Sequence, residues 1–504
     1  MSSKGLRELP IDLERRAGVP IHKALYDALR AAMLTGRLRP GARLPSSRDL
    51  GQQLGVARGT VVAVYEQLAG EGYLASRTGS GTTVAESLPD RWFKGGAAPP
   101  DPEAPPRPAR RATSLSRWGK ALDASPFAVT PRTTVRPFRA HLPAVDAFPA
   151  EDWGRIVGKR ARRDEKLLLS DGDARGHGPL REILGEHLRV SRGVACHADQ
   201  IVILPSVQQA IDIAARLTVD PGDEIWMEDP GYTGARAVLE AAGASLVPVP
   251  VDAHGIDVAA GARLAPDARM AYVTPGHQAP LGVTLAIDRR LALLGWAKDQ
   301  RALIIEDDYD SEYRYEGRPV PALQGLDRAG VVLHTGTFSK TLLPSLRLAY
   351  AVVPEGLVDS FVAAKSILDR YTPPLLQAAL ADFIEGGHFG RHLRRMREIY
   401  AERRAALLAA IEADLADTLT VVGASAGLDV AVRLPKGVDD RAVAGDLAAA
   451  GVEALALSRH ALRRRDVNGL LLGFAAFSPA RIRKSMAAAA AVIRAARPAR
   501  SGSR

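Results

Sequence analysis

Ala302-Leu-Ile-Ile-Glu-Asp-Asp-Tyr-Asp310 and, further on, Val331-Val-Leu-His-Thr-Gly-Thr-Phe-Ser-Lys340 decide how this 504-residue chain folds. Each opens as a short apolar run of strand length and closes on polar residues. A buried parallel strand presents functional groups at its carboxyl edge in this way. The two edges are therefore expected side by side. Around them, over residues 137–504, strand and helix patterns alternate, which predicts an α/β domain with a mainly parallel sheet. Residues 421–496 read as a small C-terminal subdomain with Ala-rich helices.

A carboxylate after one strand, a lysine after the next and Arg347 beyond them make a set suited to pyridoxal 5'-phosphate (PLP). The lysine amine can form an imine with the aldehyde, a carboxylate can pair with the protonated pyridine nitrogen, and serine with arginine can neutralise the phosphate. This assigns Lys340 to the imine, Asp307 to the ring nitrogen, Tyr309 to the ring hydroxyl, and Ser339 with Arg347 to the phosphate. Two plainer readings stand beside it. Asp307, Asp308 and Asp310 could hold Mg2+ next to a phosphate, and Lys340 could be an ordinary surface lysine.

Other loops add to the set. Ile201-Val-Ile-Leu-Pro-Ser-Val-Gln-Gln-Ala210 reads as a strand, a turn and a helix start, whose free N–H groups suit a phosphate. Ser206, Val207 and Gln208 are the expected cup. Tyr232 follows another strand and is expected to stack on the pyridine ring, with simple packing as the alternative. His277 and Gln278 follow a further strand; His277 either faces the cofactor or is an idle loop histidine.

The formal charge of +10 is unevenly spread: residues 1–136 carry 21 Lys and Arg against 12 Asp and Glu, and the rest of the chain is nearly balanced. A polyanion is the simplest partner for that region. The single cysteine, Cys196, excludes an intrachain disulfide and argues against a cysteine-based zinc site. With no apolar h-region at Met1-Ser-Ser-Lys-Gly-Leu-Arg7 and no run of eighteen apolar residues, a soluble, cytoplasmic protein is expected.

Residues 1–85 read as a separate module. Ile21, Leu25, Ala28, Leu29 and Ala32 recur at helical spacing. Leu44-Pro-Ser-Ser-Arg-Asp-Leu50 opens a second, short helix, and after the turn Gly55-Val56 a third carries Val61, Val64, Tyr65 and Leu68 on one face. Two short helices about a glycine turn predict a helix-turn-helix whose second helix enters the major groove. Gly72-Tyr-Leu-Ala-Ser-Arg-Thr-Gly-Ser-Gly-Thr-Thr-Val84 predicts a hairpin wing. Residues 86–136, rich in Pro, Ala and Arg, cannot build a core and are expected to be an extended linker. Forty such residues span about 35 Å.

The strings Glu306-Asp-Asp-Tyr-Asp-Ser-Glu312, Gly336-Thr-Phe-Ser-Lys340 and Leu346-Arg347-Leu348, in this order, resemble the MocR/GabR family. Its members fuse a GntR-type winged helix to a domain of the class I aminotransferase, or fold-type I, architecture. Leu44-Pro-Ser-Ser-Arg48, Val56-Ala-Arg-Gly-Thr-Val-Val62 and Gly79-Ser-Gly81 are similar to the GntR module. By that resemblance Arg48, Arg58 and Thr60 face double-stranded DNA, with Gly79 at the wing tip. One departure is Gly59, where relatives tend to have a polar residue. The resemblance further implies a homodimer, head-to-tail, on a two-half-site operator, and a regulator sensing PLP or an amine or amino-acid effector at Lys340. The alternative is a working aminotransferase with a vestigial winged helix. Three positions weigh against turnover. Ala279 stands where such enzymes carry an asparagine for the ring hydroxyl, Leu471 where they carry the carboxylate-gripping arginine, and Asp171 where they offer a tyrosine to the neighbouring subunit's phosphate.

Overall fold

In a computed structural model the chain divides into two compact units, Met1–Thr113 and Ser114–Arg504. The structure describes residues 19–77, 81–89, 114–122, 135–317 and 320–496, together with Leu9, Ile11 and Leu13. Most of the expected linker 86–136, and Gly79, therefore lie outside the described residues. Within that stretch Arg117–Ala121 form a short helix capped by Ser116.

In the first unit α1 (Ile21–Leu34), α2 (Ser47–Leu54) and α3 (Arg58–Gly70) precede a hairpin of β1 (Leu74–Arg77) and β2 (Gly81–Val84), paired antiparallel. The expected helical stripes are buried: Leu25, Leu29 and Ala32 from α1 meet Leu50, Val61, Val64 and Leu68. Ser46 caps α2 by accepting from the Asp49 N–H at 3.2 Å. Gly55 ends the helix in the left-handed region, φ 63°, where a side chain is costly. Arg48 and Arg58 are exposed and Thr60 is half-buried. An added Cβ at Gly59 meets no atom within 4 Å. Gly59→Ala is thus expected to stabilise this unit by up to about 0.5 kcal/mol, the low end of glycine's cost within a helix, because Gly59 stands in the first turn of α3. A raised denaturation midpoint of the unit would be the readout.

In the second unit eight strands run in the order β3 (Ile201–Leu204), β10 (Ala349–Val352), β9 (Val332–Thr337), β8 (Leu303–Asp308), β7 (Met270–Val273), β4 (Glu224–Asp229), β5 (Ser245–Asp252) and β6 (Gly255–Ile256). From β9 to β5 all pairings are parallel, as the alternating pattern predicts. Period-two alternation sends Ile225, Met227, Tyr272, Ile305 and Leu333 into one core. Their neighbours Trp226, Ala271, Val273, Ile304 and Val332 enter another. Both faces are covered by apolar side chains, so the strands read as continuous hydrophobic runs. β8 and β9 are adjacent, Asp307 opposite Thr335 and Asp308 opposite Gly336.

A second, antiparallel sheet takes the order β11 (Thr420–Gly423), β12 (Asp429–Arg433), β14 (Gly469–Gly473) and β13 (Leu455–Ala456). The helix His388–Leu415 links it to the first sheet. Its arginines make part of that joint: Arg397 donates to the Glu312 carbonyl at 2.8 Å, Arg403 to the Ala475 carbonyl and Asp146, and Arg404 to the Ala424 carbonyl and Glu316. Arg391, Arg394 and Arg395 are exposed. No described helix is long and apolar enough to cross a membrane.

Candidate cofactor and effector site

Lys340 lies on the short helix Phe338–Thr341 directly after β9. Its side chain is half-buried and its amine donates to the His141 carbonyl at 2.8 Å. Burial pushes its pKa down, against the opposing pull of Asp429, Asp310 and Asp307. A larger share of the amine is therefore neutral and nucleophilic than for a solvated lysine. Half-buried and hydrogen-bonded within its unit, Lys340 is not a fully solvated lysine.

Asp307 ends β8. Its Oδ2 accepts from the Tyr272 hydroxyl at 2.6 Å, whereas Oδ1 is buried with no partner. Burial, with the charges of Asp308 and Asp310, raises its pKa to about 6 against the lowering effect of the Tyr272 hydrogen bond. An unpartnered buried acceptor is costly, and a protonated ring nitrogen is the kind of donor that would satisfy it. The three aspartates do not converge on a common point. Asp308 pairs with Arg192 at 2.7 Å and Asp310 with His277 at 3.0 Å, so each spends its charge on a different partner.

Tyr309 and His277 engage one another: the Tyr309 hydroxyl lies 3.2 Å from His277 Nδ1. Burial alone would lower the His277 pKa, but the Asp310 charge and hydrogen bond prevail and raise it. Gly427 permits this contact at φ 81°. An added Cβ would come 2.2 Å from His277 Cε1 and 2.5 Å from Asp310 Oδ2. Beneath them Glu228 is pushed up to about 7 by burial, and it accepts from Thr274 Oγ1 at 2.7 Å and Gln278 Nε2 at 3.1 Å.

Ser206 is the N-cap of the helix Val207–Thr218, its hydroxyl accepting from the Gln209 N–H. Val207 and Gln208 thus occupy the first two helical positions, whose N–H groups lack intrahelical partners. Tyr232 sits at the end of β4, its ring centroid 6.5 Å from that of Tyr272. Its phenol is raised by burial and by the Asp307 charge, and lowered by Arg347. The field of Arg347 thus reaches Tyr232. Arg347 itself is exposed, in a left-handed conformation of φ 52°. Ser339 is half-buried beside Lys340, its N–H donating to Thr337 Oγ1 at 3.1 Å.

Two residues at the site escape sequence reasoning. His141, in the N-terminal part of the large unit, holds its backbone at φ 62°. Its N–H and Nδ1 both meet Asp429, at 2.9 and 2.7 Å. Asp429 opens β12, is buried, and is kept well ionised despite that burial by His141 and Lys340. An aspartate inside the apolar run Leu428-Asp-Val-Ala-Val-Arg-Leu434 is a legible signal; nothing local marks His141. Of the three positions that weigh against turnover, Leu471 and Ala279 are buried. Asp171 accepts from the Tyr371 hydroxyl at 3.3 Å.

Residues 21–84 match the family described as "Bacterial regulatory proteins, gntR family", and residues 155–492 match "Aminotransferase class I and II". The chain is 42% identical to the "Probable rhizopine catabolism regulatory protein MocR" of Rhizobium meliloti, over 94% of each chain. It is 32% identical to the "HTH-type pyridoxine biosynthesis transcriptional regulator PdxR" of Corynebacterium glutamicum, over 93% of this chain and 95% of that one. Among solved structures it is similar to Pyrococcus horikoshii kynurenine aminotransferase in complex with PMP. The TM-score there is 0.68 at 26% identity, covering 77% of this chain and 96% of that one.

Proposed function

The chain belongs to the MocR-type transcriptional regulators, which join a GntR-family unit to an aminotransferase class I and II unit. On that premise we propose that it binds PLP at Lys340 and couples the state of this site to operator binding. One observation carries the reading: the buried, unpartnered Oδ1 of Asp307, in the site where Lys340 has a depressed pKa partly offset by the Asp307 charge.

The chemistry such a group supplies is reversible condensation of its aldehyde with primary amines. Around it Asp307 holds the protonated ring nitrogen, and Tyr232 packs on the ring. Tyr309, with His277 behind it, faces the ring hydroxyl. Ser339, Arg347 and the N–H groups from Ser206 to Gln208 bind the phosphate. Lys340 keeps its amine partly neutral, so a competing amine can exchange with it. Such exchange shifts the protein only if the two states bind the ligand unequally. Ala279, Leu471 and Asp171 favour a sensor over an enzyme, because the groups that such enzymes aim at the ring hydroxyl, the substrate carboxylate and the neighbouring subunit's phosphate are replaced.

Arg48, Arg58 and Thr60, with Gly79 at the wing, contact the DNA, and two copies head-to-tail read two half-sites. Arg58→Ala is expected to reduce the slope of log affinity against log salt by about one if the guanidinium meets a phosphate. A filter-binding series over salt concentration measures this.

The test of the whole reading is a visible spectrum of the PLP-saturated protein before and after borohydride, followed by an operator gel shift with and without PLP. A band abolished by borohydride and a changed operator affinity are expected. No band would sink the reading. Steady conversion of an amino donor and a keto acid would replace the sensor with an enzyme.

A further inference from the structure

Beside Lys340 lies a narrow cleft whose walls include His141, His277, Tyr309, Asp429, Ala431 and Leu471. Its charge is unusual for a site that would take an amino acid. Asp429 and Asp310 are buried carboxylates, each paired to one imidazole, at 2.7 Å for His141 and 3.0 Å for His277. The neighbouring wall, where Ala431 and Leu471 face each other across β12 and β14, is apolar. Among the described residues no arginine lines the cleft. Arg139 acts on Lys340 only through its field. A carboxylate entering here would be desolvated against Asp429 and Asp310, and the basic groups within reach are already engaged, His141 by Asp429, His277 by Asp310 and Lys340 by the His141 carbonyl; like-charge juxtaposition of that kind costs several kcal/mol.

His141 is held for a purpose that its own stability does not serve. A non-glycine residue at φ 62° is disfavoured, and it persists where its surroundings over-determine it. Here the backbone N–H and Nδ1 both bind Asp429, and the carbonyl receives Lys340. One residue thereby orients a carboxylate in the wall of the cleft and sets an acceptor on the lysine amine. An incoming amine that takes over from Lys340 meets both.

We infer that the ligand read by this site is a primary amine without a carboxylate, carrying a second amine or hydroxyl at its far end, and that the His141–Asp429 pair selects it. The inference rests on the cofactor reading above and specifies its effector class.

The experiment uses the full-length, PLP-loaded protein and three four-carbon amines that differ only at the far end: 1,4-diaminobutane, 4-amino-1-butanol and 4-aminobutanoate. Each is titrated while the visible spectrum is followed, so the readout is binding. The diamine is expected to bind about 30-fold or more tighter than 4-aminobutanoate, as pairing with a desolvated charge implies, with the alcohol between them. Asp429→Asn should collapse that ratio to within about threefold, because the charge that discriminates is gone. His141→Gly, which keeps the left-handed backbone and the carbonyl but removes the imidazole, should also reduce the ratio and serves if Asp429→Asn fails to fold. Equal or tighter binding of 4-aminobutanoate, or a ratio indifferent to both variants, overturns the inference and leaves the cofactor reading standing. Absence of the cofactor band in the wild type overturns both.

Discussion

Lys340→Ala is expected to abolish all cofactor that borohydride fixes to the protein, along with any cofactor-dependent change in operator affinity. The half-buried amine lies in the field of Asp429, Asp310 and Asp307, so its removal deletes both the nucleophile and the cation that offsets their charge. Lys340→Arg separates the two roles. The guanidinium restores positive charge but cannot condense with an aldehyde at neutral pH. The arginine variant should therefore lack fixed cofactor while keeping more of the unit's thermal stability than the alanine variant. Mass spectrometry of the borohydride-treated protein and thermal melts of the three forms measure this. Cofactor still fixed in Lys340→Ala would move the attachment point to another lysine and dismiss the site as described.

Asp307→Asn is expected to weaken PLP binding on the order of 100-fold, the loss typical when one member of a buried charge pair is truncated. The pH dependence follows from the raised pKa of Asp307, about 6 against an ordinary 3.8. Between those values the folded protein binds a proton that the unfolded chain has released. Stability of the ligand-free unit therefore falls as pH rises through that window, and the full burial cost of the carboxylate is present above about 6. A cation bound at Oδ1 removes that cost. Ligand affinity should thus be about tenfold weaker at pH 5 than at pH 7.5, since one unit below its pKa roughly nine-tenths of Asp307 is neutral. Glu228, raised to about 7, and Glu312, also raised to about 7, titrate nearby, so the asparagine variant is the control that isolates Asp307. Its pH profile should flatten between 5 and 7.5. An unchanged profile would remove Asp307 from the ring nitrogen.

Much of the architecture was legible in short strings. Val61, Val64, Tyr65 and Leu68 predicted the buried face of α3 because a helix repeats its inward positions every three to four residues. The continuous apolar runs before Asp307 and Lys340 predicted adjacent parallel strands because only a sheet covered on both faces tolerates them. The reach of Tyr309 was less legible. Its position after β8 was plain, but its hydroxyl lies against His277, and that pairing depends on Gly427 leaving room from the second sheet. Nothing in the string itself assigns the arginines of the long helix, and Arg397, Arg403 and Arg404 take their role from the carbonyls of distant loops.

The sequence by itself determined the two-unit organisation, the parallel sheet and the residue types gathered at its edge. Those properties depend on local periodicity and on chemistry carried by contiguous residues. Only the tertiary structure decided how the charges are shared. Asp307, Asp308 and Asp310 look alike in the chain, yet Asp310 pairs with His277 and Asp308 with Arg192, whereas Asp307 meets only the neutral Tyr272 hydroxyl; one oxygen each of Asp307 and Asp308 is left unpartnered. His141 and Asp429, 288 residues apart, meet over Lys340. Such pairings arise from packing between distant segments, and in a low-dielectric interior they set each group's ionisation more strongly than its sequence neighbours do.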